Sequence, residues 1–217
     1  MTGISNPGPL AVLGGTFNPV HYGHLRSALE LVEHLGFAQL RLMPCALPPH
    51  REMPACSAEH RAAMVELAVA GEARLGCDRR ELDRSGPSYT VDSLQELRSE
   101  CGAQGSLCLV MGCDAFIAID SWRDWQRLLE LAHIVVIGRP GWALPETGPV
   151  ADWLASHRAS SAQDLADKPA GTIHIEELRP LAISSTEIRS LLQSGNSVRY
   201  LLPESVIDYI ESFRLYT

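Results

Sequence analysis

Residues 107–111 (LCLVM) and 134–137 (IVVI) are apolar at every position. A strand that alternates polar and apolar residues can lie on a surface. One that is apolar throughout must be covered from both sides. These two runs therefore predict central strands of a parallel sheet. Residues 10–13 (LAVL), bounded by Gly14 and Gly15, predict another strand. Residues 40–43 (LRLM), ended by Pro44, and 172–175 (TIHI) predict two more. Helical spacings lie between them: Leu25, Leu29, Val32 and Leu35, with Gly36 placed to close that helix; then Ala62, Val65, Leu67 and Val69, opening at Ser57. Val91, Leu94 and Leu97 form a third set, and Leu128, Leu129 and Ala132 a fourth. The order β-α-β-α-α-β-α-β predicts an α/β fold: a doubly wound, mostly parallel sheet with helices on both faces and right-handed crossovers.

A chain of 217 residues with 46% hydrophobic content fits one domain over 1–217. Residues 138–171 are rich in Pro, Gly and Ser and are expected to leave the sheet as an excursion in which only 150–157 looks helical. Residues 184–217 form a C-terminal helical part. With 18 basic and 26 acidic residues the net charge is -8, so nucleic acid and anionic membrane are not expected partners. Any phosphate must then be held by a local site. No run approaches the roughly 20 apolar residues of a membrane helix. The first ten residues, MTGISNPGPL, lack the charged and apolar regions of a secretory signal. The six cysteines form no C-x-x-C pair and are expected to be buried thiols of a cytoplasmic protein. No oligomeric state is assigned from the sequence.

The string GGTFNPVHYGH, residues 14–24, follows the first strand. In a doubly wound sheet, ligands sit outside the carboxyl ends of the strands. Gly14 and Gly15 allow close backbone approach to a ligand. Pro19 suits the start of a helix. His21 and His24 then lie about one turn apart on the same face, beside free N–H groups and the positive end of the helix dipole. Together these features favour phosphate. Histidines at this spacing could also chelate zinc, but no carboxylate or third ligand is patterned nearby, so no metal ligand is assigned to the protein.

A second string, ISSTEIR at 183–189, has capping-box spacing, with Ser184 as N-cap and Glu187 at N3. Ile188, Leu191 and Leu192 would face the core, and Gly195 could end the helix. Arg189 can reach back over the helix start, and its planar fork suits phosphate. Two helix ends from remote parts of the chain could clamp one polyphosphate.

GGTFNPVHYGH together with ISSTEIR resembles the nucleotidyltransferase superfamily with HxGH and ISSTxxR signatures. Within it, the chain is similar to the bacterial nicotinate-nucleotide adenylyltransferases. PCALPPHRE (44–52), PSYTVDSL (87–94), VMGCDAF (110–116), SWRDWQRLL (121–129) and GRPG (138–141) carry the resemblance along nearly the whole chain. It implies a Rossmann-like fold and adenylyl transfer from ATP to nicotinate mononucleotide, giving deamido-NAD and pyrophosphate, with Mg2+ accompanying ATP. It also implies site roles. His21, His24 and Arg189 would act on the phosphates. Gly14, Gly15, Thr16, Phe17, Asp114, Ser184 and Ser185 would bind ATP. Tyr89, Thr90, Trp122, His50 and Arg51 would bind the mononucleotide. Asn18 stands where the family usually has aspartate, and Arg51 where it commonly has lysine.

The implied chemistry needs no general base, because the attacking phosphate oxygen is already anionic. Positioning and electrostatics suffice. Two alternatives stay open from the sequence: another acceptor, nicotinamide mononucleotide or pantetheine phosphate, and a nucleotide-binding regulatory module without turnover.

Overall fold

The computed structural model describes residues 8–46, 56–84, 86–138, 141–179 and 181–217. Six strands form one sheet: β1 (Leu10–Gly15), β2 (Gln39–Pro44), β3 (Leu75–Cys77), β4 (Leu107–Gly112), β5 (His133–Gly138) and β6 (Ile173–Glu177). Their spatial order is β3-β2-β1-β4-β5-β6. All five pairings are parallel. The chain therefore winds from β1 outward through β2 to β3, then returns to β4 on the other side of β1. That reversal leaves a crevice between the carboxyl ends of β1 and β4.

The side chains of the buried strands alternate between two cores. Cys108 and Val110 face one with Ala11, Leu13, Leu40 and Leu42. Leu107, Leu109 and Met111 face the other with Val12 and Met43. The first core is covered by α1 (Tyr22–Leu35), α2 (Ala58–Val69), α8 (Ser185–Gln193) and α9 (Glu204–Phe213). The second is covered by α3 (Thr90–Cys101), α4 (Cys113–Ile117), α5 (Leu128–Leu131) and α6 (Pro149–His157). This two-sided cover is what the apolar runs require.

Local signals fix several helix ends. Gly36 ends α1 with φ 65°, a left-handed conformation that costs glycine little. Ser57 caps α2 by accepting from the His60 N–H, and Ser184 caps α8 by accepting from the Glu187 N–H. Three expectations need correction. A strand, β3, lies between the two helices that follow β2; it has only three residues, with Gly76 in the middle, too few to show a period. The excursion holds a second helix, the single turn α7 (Asp164–Asp167), besides α6. Pro19 does not open α1: the helix begins at Tyr22, and Pro19 follows a cis bond to Asn18 two residues before the N-cap.

Leu94, wholly buried on α3, is the test of the second core. Leu94→Ala should cost about 2–5 kcal/mol of unfolding free energy in urea. A loss below about 0.5 kcal/mol, the scale of a surface change, would contradict this packing.

Candidate active site

β1 ends at Gly15, and the chain turns sharply before α1. Phe17 takes φ 47° there and folds its ring back beneath the strand end. A Cβ on Gly15 would lie 2.8 Å from Cζ of that ring, so glycine is needed for Phe17 to pack. Gly14 serves differently: a Cβ there would meet no protein atom within 4 Å. It lines an open cavity instead.

His21 is the N-cap of α1 and His24 is its N3 residue. Their rings stack with centroids 3.7 Å apart, and Phe17 meets His24 edge-on at 5.1 Å. The His21 backbone N–H donates to His24 Nδ1 at 3.3 Å. An accepting Nδ1 carries no proton, so in its neutral form the His24 ring carries its proton on Nε2. His21 is buried, and burial pushes its pKa down to about 4. It is therefore neutral near pH 7, and its Nδ1 is buried without a hydrogen-bond partner. Gly23, between the histidines, is there for space: a Cβ would come within 2.9 Å of His21 Cε1 and Nδ1.

The second motif reaches the first directly. Arg189 Nη1 donates to the Asn18 carbonyl at 2.8 Å, and Ser185 Oγ donates to the Pro19 carbonyl at 2.9 Å. Asn18 is itself buried, and its Oδ1 accepts from Tyr216 OH at 2.7 Å. The residue that departs from the expected aspartate thus keeps a carbonyl acceptor, and no charge has to be buried there. The Tyr22 N–H, at the first turn of α1, donates to the Leu201 carbonyl at 3.0 Å. The C-terminal part therefore holds the glycine turn in place.

A cavity of about 380 Å³ opens at the carboxyl ends of β1, β2 and β4. Gly14, Gly15, Thr16, Asp114, Tyr89, Thr90 and Trp122, all expected site residues, line it. His21, His24, Phe17, Ser184, Ser185 and Arg189 do not; they sit in the turn after β1, at the start of α1 and along the first half of α8. His50 and Arg51 lie outside the described residues. Asp114 sits in the first turn of α4, exposed to the cavity. Tyr89 and Thr90 occupy the start of α3, and the Arg123 guanidinium lies 4.8 Å from the centre of the Tyr89 ring. Among the described residues, no group of three or more His, Cys, Asp or Glu is placed to hold a metal ion.

Three residues of the site are not marked by the sequence, and the first supports it from below the surface. Arg61 is 1% exposed. Its guanidinium donates to the carbonyls of Thr16 at 2.7 Å, Cys45 at 2.6 Å and Ala46 at 3.3 Å. It thereby ties the loops after β1 and β2 together under the cavity. Glu81 and Ser88 were also missed; both are buried and both line the cavity. No spacing in the sequence marks these three.

The chain matches the cytidylyltransferase-like family over residues 12–191. It is 49% identical over 209 residues to a Hahella chejuensis protein named "Probable nicotinate-nucleotide adenylyltransferase", covering 96% of this chain and 95% of that one. A Cellvibrio japonicus protein of the same name is 50% identical over 207 residues, covering 95% and 98%. The fold is similar to that of Plasmodium falciparum nicotinic acid mononucleotide adenylyltransferase complexed with NaAD. That likeness has a TM-score of 0.70 at 17% identity, over 96% of this chain and 97% of the other. No helix of the described residues is long and apolar enough to cross a membrane.

The buried His21 ring generates a pH prediction. In the unfolded chain an imidazole takes up its proton near 6.5, whereas in the fold His21 does so only near 4. Between those values the unfolded state holds the extra proton. Unfolding free energy should therefore fall as pH drops from 6.5 toward 4, by up to about 1.4 kcal/mol per pH unit from this one group. His21→Asn should remove that part of the slope in denaturation measured across the same range. Equal slopes for both proteins would contradict a neutral, buried His21.

Proposed function

We propose, from the premise that the chain belongs to the cytidylyltransferase-like family and within it to the nicotinate-nucleotide adenylyltransferases, that it transfers the adenylyl group of ATP to nicotinate mononucleotide. The products are deamido-NAD and pyrophosphate, a step of NAD biosynthesis. A phosphate oxygen of the mononucleotide attacks the α-phosphorus. The new P–O bond forms as the α–β anhydride breaks, and the electron pair leaves on pyrophosphate. No proton has to be removed from the nucleophile, so the absence of a base from the proposed roles is no obstacle.

The observation that carries this reading is the junction of the two motifs. The glycine turn and the start of α8 are joined through Arg189 and Ser185 beside a cavity at the sheet's switch point. On this reading the triphosphate lies along that junction. His24 donates from Nε2, His21 packs beside it, and the helix dipoles supply positive potential at the starts of α1 and α8. Arg189 donates one N–H to the Asn18 carbonyl and a longer one to Thr186 Oγ1, and has further N–H groups for phosphate. The adenosine part is bounded by Gly14, Gly15, Thr16 and Asp114, and the pyridine part by Tyr89, Thr90 and Trp122. Mg2+ bound with ATP would screen its charge, and Asp114, an exposed carboxylate of the cavity, would be placed to hold it or its water shell. The six free thiols support work in the cytoplasm.

The test is pyrophosphate release by the purified protein with ATP, Mg2+ and each of three acceptors. Nicotinate mononucleotide should give the highest kcat/KM, ahead of nicotinamide mononucleotide and pantetheine phosphate. His24→Ala should lower kcat by about 10²–10³, the effect of losing one strong transition-state donor. No release with any acceptor would refute the reading, and an undiminished kcat in the folded variant would remove His24 from the chemistry.

A further inference from the structure

The wall of the cavity between β3 and α3 contains a carboxylate that the reaction as described does not use. Glu81 is 5% exposed and lines the cavity beside Ser88, Tyr89 and Thr90. Its Oε1 accepts from Ser93 Oγ at 2.9 Å, which fixes it against α3. Among the described residues no guanidinium pairs with it directly: Arg84, whose charge it feels, binds Glu96 at 2.5 Å, Arg80 binds Asp78 at 2.7 Å, and Arg123, on the same cavity wall, lies over the Tyr89 ring. Ser88 Oγ, next to it, is buried without a well-formed hydrogen bond of its own. A carboxylate removed from water with no cation in contact is costly. Burial accordingly raises the Glu81 pKa, opposed in part by the Ser93 and Ser88 hydroxyls and by Arg84. A buried carboxylate fixed on the wall of a ligand cavity is a candidate partner for a cationic part of the ligand.

The proposed acceptor supplies one. The ring nitrogen of nicotinate mononucleotide is bonded to ribose, so the pyridine ring is a pyridinium with a formal positive charge. The Tyr89, Thr90 and Trp122 end, proposed above for that ring, is the end where Glu81 lies. We propose that Glu81 is a specificity-determining residue that supplies the countercharge to the acceptor's pyridinium ring, so that the site selects oxidised pyridine mononucleotides over acceptors with a neutral ring. The wall is low in dielectric, and a charge opposed there acts more strongly than in water. The inference rests on the proposed adenylyl transfer and adds the reason for its choice of ring.

The experiment compares two acceptors and two proteins. Nicotinate mononucleotide and its 1,4-dihydro form carry the same phosphate, ribose and carboxylate and differ in ring charge. The wild type should prefer the pyridinium form. Glu81→Gln should lower kcat/KM for nicotinate mononucleotide about ten- to a hundredfold, mainly through KM. It should leave KM for ATP and the rate with the dihydro acceptor within about twofold, inside the ordinary scatter of a neutral change. An equal loss on both acceptors, or no loss on either, would overturn the proposal. Should Glu81→Gln fail to fold, the wild type still decides: near-equal kcat/KM for the two acceptors overturns it. Glu81→Asp, which keeps the charge, should retain the preference. Wild-type turnover without a Glu81 effect defeats only this inference, whereas no turnover with any acceptor defeats the proposed function beneath it.

Discussion

The site depends on a clasp between residues far apart in the chain. Arg189 and Ser185, at the start of α8, hold the carbonyls of Asn18 and Pro19 at 2.8 and 2.9 Å. Tyr216, nearly at the C-terminus, holds the Asn18 side chain at 2.7 Å. A tight turn containing a non-glycine residue at positive φ is strained unless its surroundings fix it. Here three side chains from the last part of the molecule do so. The same contacts bring the start of α8 against the turn that precedes α1, so that two helix dipoles share one neighbourhood.

The sheet supplies the rest of the geometry. Because β1 and β4 are neighbours but not sequential, their carboxyl ends part and leave room for a ligand. Arg61 closes the floor beneath that opening by joining the loops after β1 and β2. Thr16 lines the cavity, whereas the histidine pair follows at the N-cap and first turn of α1 and is not part of its lining. A nucleotide laid across the turn can place its base and its phosphates in different environments, one partly apolar and one rich in donors.

Much of this is legible in the sequence because it is local. Runs such as LCLVM need cover on both faces wherever they occur, and Ser57, Ser184 and Gly36 act on their own helices. The phosphate character of GGTFNPVHYGH is likewise local, since it depends on a glycine turn meeting a helix start. What the sequence hides is long-range. Arg61 sits in an ordinary helix, AEHRAAMVELAV, and nothing in that segment says that three carbonyls from other loops converge on it. Glu81 lies on a connection between elements, where an acidic residue reads as solvated until the fold buries it. β3 escapes because three residues show no periodicity. The spatial need for Gly23 appears only once the His21 ring is seen against it.

The central claim is that the glycine turn with its histidine pair and the start of α8 make one phosphate site. A crystal structure with Mg2+ and a non-hydrolysable ATP analogue measures this directly. The account predicts phosphate oxygens within hydrogen-bond reach of His24 Nε2 and, in the same molecule, of the α8 start or the Arg189 guanidinium. A triphosphate that touches only one of the two motifs, or lies away from both, would contradict it.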